Sequence, residues 1–298
     1  MEGRLLRAVE EAVREATGRE VRIAGARGVG GGCIHDARLL ELEGGGRLFL
    51  KSNASAPDDL FPAEAEGLRA LAGVDAIRVP GKPVAGRVGD ACFLVMEAIP
   101  TGRPKAGFFE DFGRRFATLH RRSAERHGGR FGFPHDNYLG ATPQPNGWSA
   151  DWVELFRVRR LGHQLELARR RGRSDGELDR LGERLMGRLG DWLDLPAEPS
   201  CLLHGDLWSG NFLADAEGGP VLVDPAAYYG HREADLAMTE LFGGFAPSFY
   251  DAYEEIWPLP PGSPERREIY KLYHLLNHLN LFGRGYRDGC LAILRRLA

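Results

Sequence analysis

Apolar positions recur along this chain with two periods, and the change from one to the other outlines its architecture. Arg4 to Val13 has the pattern of an amphipathic helix. β-like runs follow at Val21–Ala24 and Ile34–Leu42, separated by Gly28-Val29-Gly30-Gly31-Gly32-Cys33. Gly44-Gly45-Gly46 reads as a hairpin turn, leading into the strand Leu48-Phe49-Leu50, which ends in Lys51. Phe61 to Leu71 has helical spacing, and Phe93 to Ile99 is an apolar strand running into a linker at Pro100. Beyond about residue 104 helical spacing dominates, over Phe108–His127, the pair Asp151–Arg171 and Ser174–Leu193, and Ser263–Tyr286. Two short strands, Cys201–Leu203 and Val221–Val223, interrupt it. Phe131 to Trp148 is rich in Gly, Pro and Asn and reads as an ordered loop.

The two short strands carry the chemistry. The first leads into His204-Gly205-Asp206-Leu207-Trp208-Ser209-Gly210-Asn211, and the second delivers Asp224. An Asp, an Asn five residues later and a second Asp after a strand form the set that phosphoryl transfer to a hydroxyl requires. Asp206 would take the hydroxyl proton, while Asn211 and Asp224 would supply oxygen ligands for Mg²⁺ on the phosphates of ATP. The bland alternative is a hairpin whose polar residues cap turns.

Phosphoryl transfer also needs parts that hold the nucleotide. Gly30, Gly31 and Gly32 would let the backbone approach phosphates closely. Lys51 is one of only four lysines in an arginine-rich chain. A point charge on a flexible stem suits the α- and β-phosphates, although an ordinary surface lysine would look the same. A Glu on the next helix should pair with it, and both Glu64 and Glu66 qualify. Met96 would line the base pocket, and the backbone at Glu97, Ala98 and Ile99 would bond the adenine edge. The fold class expected is α+β, bilobal and protein-kinase-like. Residues 1–97 would form a small N-terminal lobe with an antiparallel sheet, 98–103 a hinge, and 104–298 a mostly helical catalytic lobe.

Composition narrows the setting. The chain has 298 residues, 43% of them hydrophobic, enough for a large core. A net charge of −3 gives no support to a nucleic-acid partner. No apolar run approaches the ~20 residues of a membrane span, and the acid-containing first helix is not a signal peptide. Four cysteines without CxxC pairing suit a reducing cytoplasm. His274 and His278, four apart, could face a metal, but no third ligand is evident, so a packing role is expected. Gly205 stands where protein kinases place Arg, and no long activation segment follows Asp224, so an activation-loop protein kinase is disfavoured. The presence of Lys51, Asp206, Asn211 and Asp224 together argues against a catalytically dead binding module.

The stretch His204–Asn211 together with Asp224–Ala237 resembles the fructosamine kinase (ketosamine-3-kinase) family. That family belongs to the group holding aminoglycoside phosphotransferases and choline kinases. The similarity extends to Gly31–Ile34, Asp136–Gly140, Gln144, Asn146, Phe242-Gly243-Gly244-Phe245 and Tyr273–Asn280, nearly the whole chain. It implies ATP- and Mg²⁺-dependent phosphorylation of the 3-hydroxyl of ketosamines, free or on glycated protein side chains, in a cytoplasmic monomer or homodimer acting in deglycation. It favours Glu64 over Glu66. Trp208 would offer an apolar face to the sugar, and Tyr229, His231 and Glu233 are candidates for its hydroxyls or amine. An aminoglycoside- or choline-type phosphotransferase is the alternative. Cys33, beside amides meant for phosphate, would be a redox switch if exposed and inert if packed under the loop. Asp235 is expected to cap a helix and hold the catalytic loop.

Overall fold

The computed structural model describes residues 2–30, 35–195 and 197–298. Helix α1 (Glu2–Thr17) precedes strands β1 (Ile23–Gly28), β2 (Asp36–Leu42) and β3 (Arg47–Asn53). Helix α2 (Leu60–Val74) follows, then β4 (Val84–Val88) and β5 (Ala91–Glu97). The five strands form one antiparallel sheet in the order β1-β2-β3-β5-β4. Gly44, Gly45 and Gly46 turn β2 into β3 with φ of 84°, 92° and 94°, a run that only glycine adopts freely.

Strand alternation sorts the sheet's two faces. Phe93 and Val95 of β5 join Leu40 and Leu50 beneath Leu5, Val9 and Val13 of α1, whose i, i+4, i+8 spacing forms one stripe. Cys92, Leu94 and Met96 point the other way, into the core shared with α2 and the rest of the chain. Because β5 is buried on both faces, it reads in sequence as a continuous apolar run.

The remainder is mostly helical. Helix α3 (Phe108–Arg126) is followed by a small hairpin, β6 (Asn137–Leu139) and β7 (Thr142–Gln144). The ordered loop expected over Phe131–Trp148 therefore contains a strand pair. Its signal is weak because its stabilising partners, Ala226, Ala227 and Arg160, are distant in sequence. Helices α4 (Trp152–Leu155) and α5 (His163–Arg170) flank a π-helical segment, Phe156–Gly162. Within it Arg160 is fully buried, donating to Asn146 and Pro145 and lying 4.1 Å above the Tyr228 ring.

Helices α6 (Gly176–Gly187) and α7 (Leu189–Leu193) lead to two short hairpin-like pairings. Strand β8 (Cys201–Leu203) pairs with β11 (Tyr228–Gly230), and β9 (Phe212–Ala214) with β10 (Pro220–Leu222). Helices α8 (Glu233–Glu240), α9 (Pro247–Ile256), α10 (Ser263–Phe282) and α11 (Arg287–Leu297) complete the chain. Gly113 lets α3 lie directly on α9, since a Cβ there would stand 2.1 Å from the Phe249 carbonyl oxygen. Phe108, Phe112, Phe116, Phe212, Phe245 and Phe249 fill that contact edge to face. No helix among the described residues is long and apolar enough to cross a membrane.

Candidate active site

The loop 204–211 leaves the end of β8 and is held from below by one carboxylate. Asp235, in the first turn of α8, accepts from the His204 amide at 2.6 Å and the Gly205 amide at 2.8 Å. It holds the loop as expected, but the residue preceding α8 is Arg232, so Asp235 is not a helix cap. His120 Nε2 sits 3.2 Å from the same carboxylate and is itself tied to Tyr253. Gly205 has φ 82°, and a Cβ there would meet the Ala226 carbonyl oxygen at 2.1 Å. The glycine therefore lets the loop press on the segment that follows Asp224, where a bulkier residue could not fit.

His204 braces the same junction. Burial lowers its pKa, so it is neutral: Nε2–H donates to the Val223 carbonyl at 2.9 Å and Nδ1 accepts from the Asp206 amide at 3.3 Å. Asn211 closes the loop, with Nδ2 donating to the Asp206 carbonyl at 2.8 Å and to Asp206 Oδ2 at 3.2 Å. Its own carbonyl accepts from Val223. The geometry thus brings Asp206, Asn211 and the strand carrying Asp224 to one place. Burial, and next the charge of Asp224, push the Asp206 carboxyl well above the usual carboxylate range.

Asp224 adopts φ 57° at the end of its strand and keeps its carboxylate 46% exposed. Lys51 reaches it from β3, with Nζ 2.5 Å from Asp224 Oδ1 and 2.7 Å from Glu64 Oε1. Burial opposes the charge on Lys51, but Glu64 and Asp224 outweigh it and hold the ammonium above its ordinary value. Glu66 instead faces His135, 3.0 Å away. Gly67 explains how α2 delivers Glu64: its bare backbone packs on Pro225 and Ala227, where a Cβ would lie 3.3 Å from the Ala227 methyl. Asn137 and Gln144 clamp that segment from the other side, donating to the Ala227 and Ala226 carbonyls at 2.8 and 3.1 Å.

Gly30 is exposed at the start of the glycine run, whereas Gly31, Gly32 and Cys33 lie outside the described residues. His35, which the sequence reading did not single out, stands against Phe61 and Asn53 next to Lys51. Met96 is buried. The Glu97 amide donates to the Gly81 carbonyl, and its carboxylate binds Arg78 at 2.7 Å and the Gly81 amide at 2.9 Å. The amides of Ala98 and Ile99 bond no other described residue. Arg78 also pairs with Asp215 at 3.0 Å. This tie between Glu97 and the β9–β10 turn had no local sequence signal, because its members are far apart in the chain.

Trp208 is half-buried and folds over Gly210, where a Cβ would strike the indole at 2.5 Å. Its indole also meets the Phe242 ring, at 6.3 Å between centroids. Three expected substrate residues fall elsewhere. Gly230 pairs with Cys201, so the segment Tyr229–Glu233 lies at the start of β8, the opposite end from Asp206. Tyr229 stacks on His127 with centroids 3.4 Å apart. His231 is buried against Tyr270 and Trp152. Glu233 is fully buried in a two-point pair with Arg266, both bonds 2.7 Å. All three hold structure, because the antiparallel pairing reverses the direction in which the segment runs.

The chain as a whole resembles known proteins. The family model described as fructosamine kinase matches residues 5–298. A probable ketoamine kinase of Synechocystis is 41% identical, over 97% of this chain and 95% of that one. A chloroplastic protein-ribulosamine 3-kinase of Arabidopsis thaliana is 40% identical, over 96% of this chain and 87% of that one. A solved structure from Thermobifida fusca, provisionally named a fructosamine-3-kinase, superposes with a TM-score of 0.83 at 37% identity, covering 97% of each chain. An aminoglycoside phosphotransferase shares the fold at a TM-score of 0.63 and 16% identity, over 96% of this chain and 98% of that one.

Proposed function

We propose, since this chain belongs to the fructosamine kinase family, that it is an ATP-dependent ketoamine kinase whose phosphoryl transfer centres on Asp206. The observation that carries the site assignment is the convergence of Lys51, Glu64 and Asp224 in one bonded chain beside the Asp206–Asn211 pair. Its acceptor is the 3-hydroxyl of a ribulosamine- or fructosamine-type adduct, free or on a protein side chain.

Asp206 orients that hydroxyl and takes its proton as the new O–P bond forms and the bond to the departing ADP oxygen breaks. A carboxyl raised above its ordinary range is better matched to this task near neutrality than a free aspartate. Asn211 and the His204 brace fix its direction, so positioning supplies much of the rate. Lys51, locked by Glu64, places one positive charge on the nucleotide's phosphates. Residues 98–103 act as the hinge between the lobes, and the amides of Ala98 and Ile99, which bond no other described residue, suit the adenine edge; the Glu97 amide, already bonded, does not.

The donor set also suits Mg²⁺. The Asp224 carboxylate stays 46% exposed, and the Asn211 side-chain oxygen has no bonded partner among the described residues. Hard oxygen donors of this kind hold hard cations. Asn211 and Asp224 would be the ligands, and the ion would neutralise charge on the phosphate oxygens.

A 3-phosphate prepares the adduct for collapse. Enamine formation between C1 and C2 lets the nitrogen expel phosphate from C3, and water then frees the amine. This chemistry supports a role in deglycation. The buried free thiols Cys92, Cys201 and Cys290 support a reducing cytoplasmic setting. ATP turnover on ribulosamines, fructosamines, erythrulosamines, choline and aminoglycosides in parallel tests the reading. Turnover is expected on ketoamines; activity confined to an aminoglycoside or choline would reverse it.

A further inference from the structure

Outward from Trp208 the site runs into an aromatic surface that phosphoryl transfer does not use. Phe242 meets Trp208 edge-on and lies 4.6 Å from His278 and 6.4 Å from Tyr286. His278 in turn lies 5.4 Å from Phe282 and 5.1 Å from Tyr286. These rings come from three separate places: the catalytic loop, the turn after α8, and the end of α10 with the 3₁₀ turn that follows it.

Two features set this surface apart from ordinary packing. Among the described residues, Phe242 and Phe282 are the only exposed Phe, Tyr or Trp side chains, at 41% and 56%. They belong to the same cluster, and apolar surface gathered in one place marks a contact site. Phe242 also adopts φ 55°, a left-handed conformation that is costly for a bulky side chain. Gly243 and Gly244 beside it take positive φ at no such cost. The fold thus holds a strained phenylalanine where glycine would be easier, and the result is a ring set beside Trp208. Burial keeps His278 below its usual pKa, so the cluster adds no positive charge near neutrality.

We propose that Phe242 and Phe282 form the subsite for the amine-side arm of the ketoamine, selecting adducts whose nitrogen carries an extended apolar or aromatic substituent. This rests on the ketoamine reading above. The nitrogen is on C1, two carbons from the reacting C3. With C3 at Asp206 and the sugar on Trp208, the arm leaves the sugar among Trp208's neighbours. The charged amine gains from the ring faces, and the methylene stem of a glycated lysine gains from the same apolar surface.

Steady-state kinetics on three ribulosamines that share one sugar test this, built on methylamine, on the side chain of Nα-acetyl-lysine and on phenethylamine. The proteins compared are wild type, Phe242→Gly and Phe282→Ala; glycine adopts φ 55° readily, so the first variant is expected to fold. In each variant the preference in kcat/KM for the phenethylamine adduct over the methylamine adduct should fall roughly three- to tenfold, chiefly through KM. The lysine adduct should fall between them, and KM for ATP should move little. Equal losses on all three arms, or an unchanged preference, would overturn the subsite. So would a wild-type dimer that the variants disrupt while keeping arm selectivity, since the surface would then join two copies. Wild-type inactivity on every ribulosamine would defeat the ketoamine reading itself, and the subsite with it.

Discussion

The two ends of strand β8 offer the same residue types and do opposite things. At one end Asp206 is bonded to Asn211 and feels the charge of Asp224, whose carboxylate stays open to solvent. At the other, Glu233 spends both oxygens on Arg266, and His231 is walled in by Tyr270, Trp152 and Phe131. A polar side chain gains chemistry when its surroundings leave it capacity and access. The same side chain, saturated and enclosed, becomes a structural pin whose loss is costly.

Changing the open end should cost rate with little change in fold. Asp206→Asn should lower kcat at least ~10²-fold, as loss of a general acid–base group does, with ATP affinity largely kept. Coupled ADP-release kinetics and nucleotide titration measure both, and near-wild-type turnover would remove Asp206 from its role. Changing the closed end should do the reverse. Glu233→Ala strands Arg266 in the core and should destabilise the protein by about 3–5 kcal/mol. The folded fraction should keep its turnover, which urea titration followed by active-site-normalised kinetics would reveal.

Gly205→Ala probes the seam between the ends, since it forces a Cβ against the Ala226 carbonyl at positive φ. A loss of about 1–3 kcal/mol is expected. Here stability and kcat should fall together, because the loop that shifts carries Asp206. A fall in melting temperature with kcat intact would separate the loop's packing from its catalytic geometry.

The last effect is spread over pH and is small at any pH near neutrality. Burial, with Arg266 and Arg232 adding to it, lowers the His231 pKa to about 3. Its neutral form fits the fold, so its contribution is complete above the unfolded value of about 6.5. As pH falls from there toward about 3, the unfolded chain binds a proton that the folded one refuses, and stability declines by up to ~1.4 kcal/mol per pH unit. His231→Phe should therefore flatten the acid limb of unfolding free energy by about one proton relative to wild type. Identical slopes in urea titrations between pH 6 and 4 would show that His231 does not set the limb.

Much of the candidate site's geometry was legible because the placement of its residues is written locally. Asp206, Asn211 and Asp224 sit at the ends of short apolar strands, and strand ends deliver side chains to a common edge. Lys51 was legible for the same reason, and the glycine run at 44–46 announced its turn through the conformations glycine alone adopts. The choice between Glu64 and Glu66 was a matter of helix phase that Gly67 settles by seating α2 on Pro225 and Ala227. Tyr229, His231 and Glu233 could not be placed from the sequence, since a neighbour in the chain need not be a neighbour in the site once β11 runs back along β8. Nor could the sequence show why residue 205 is glycine, or that Phe242 lies open beside Trp208. Chain order and local period determined the strands, the helices and the acidic residues at their ends. Tertiary structure alone decided which of those polar groups were left unsatisfied, because saturation depends on partners such as Arg266, 33 positions from Glu233, that only packing brings into reach.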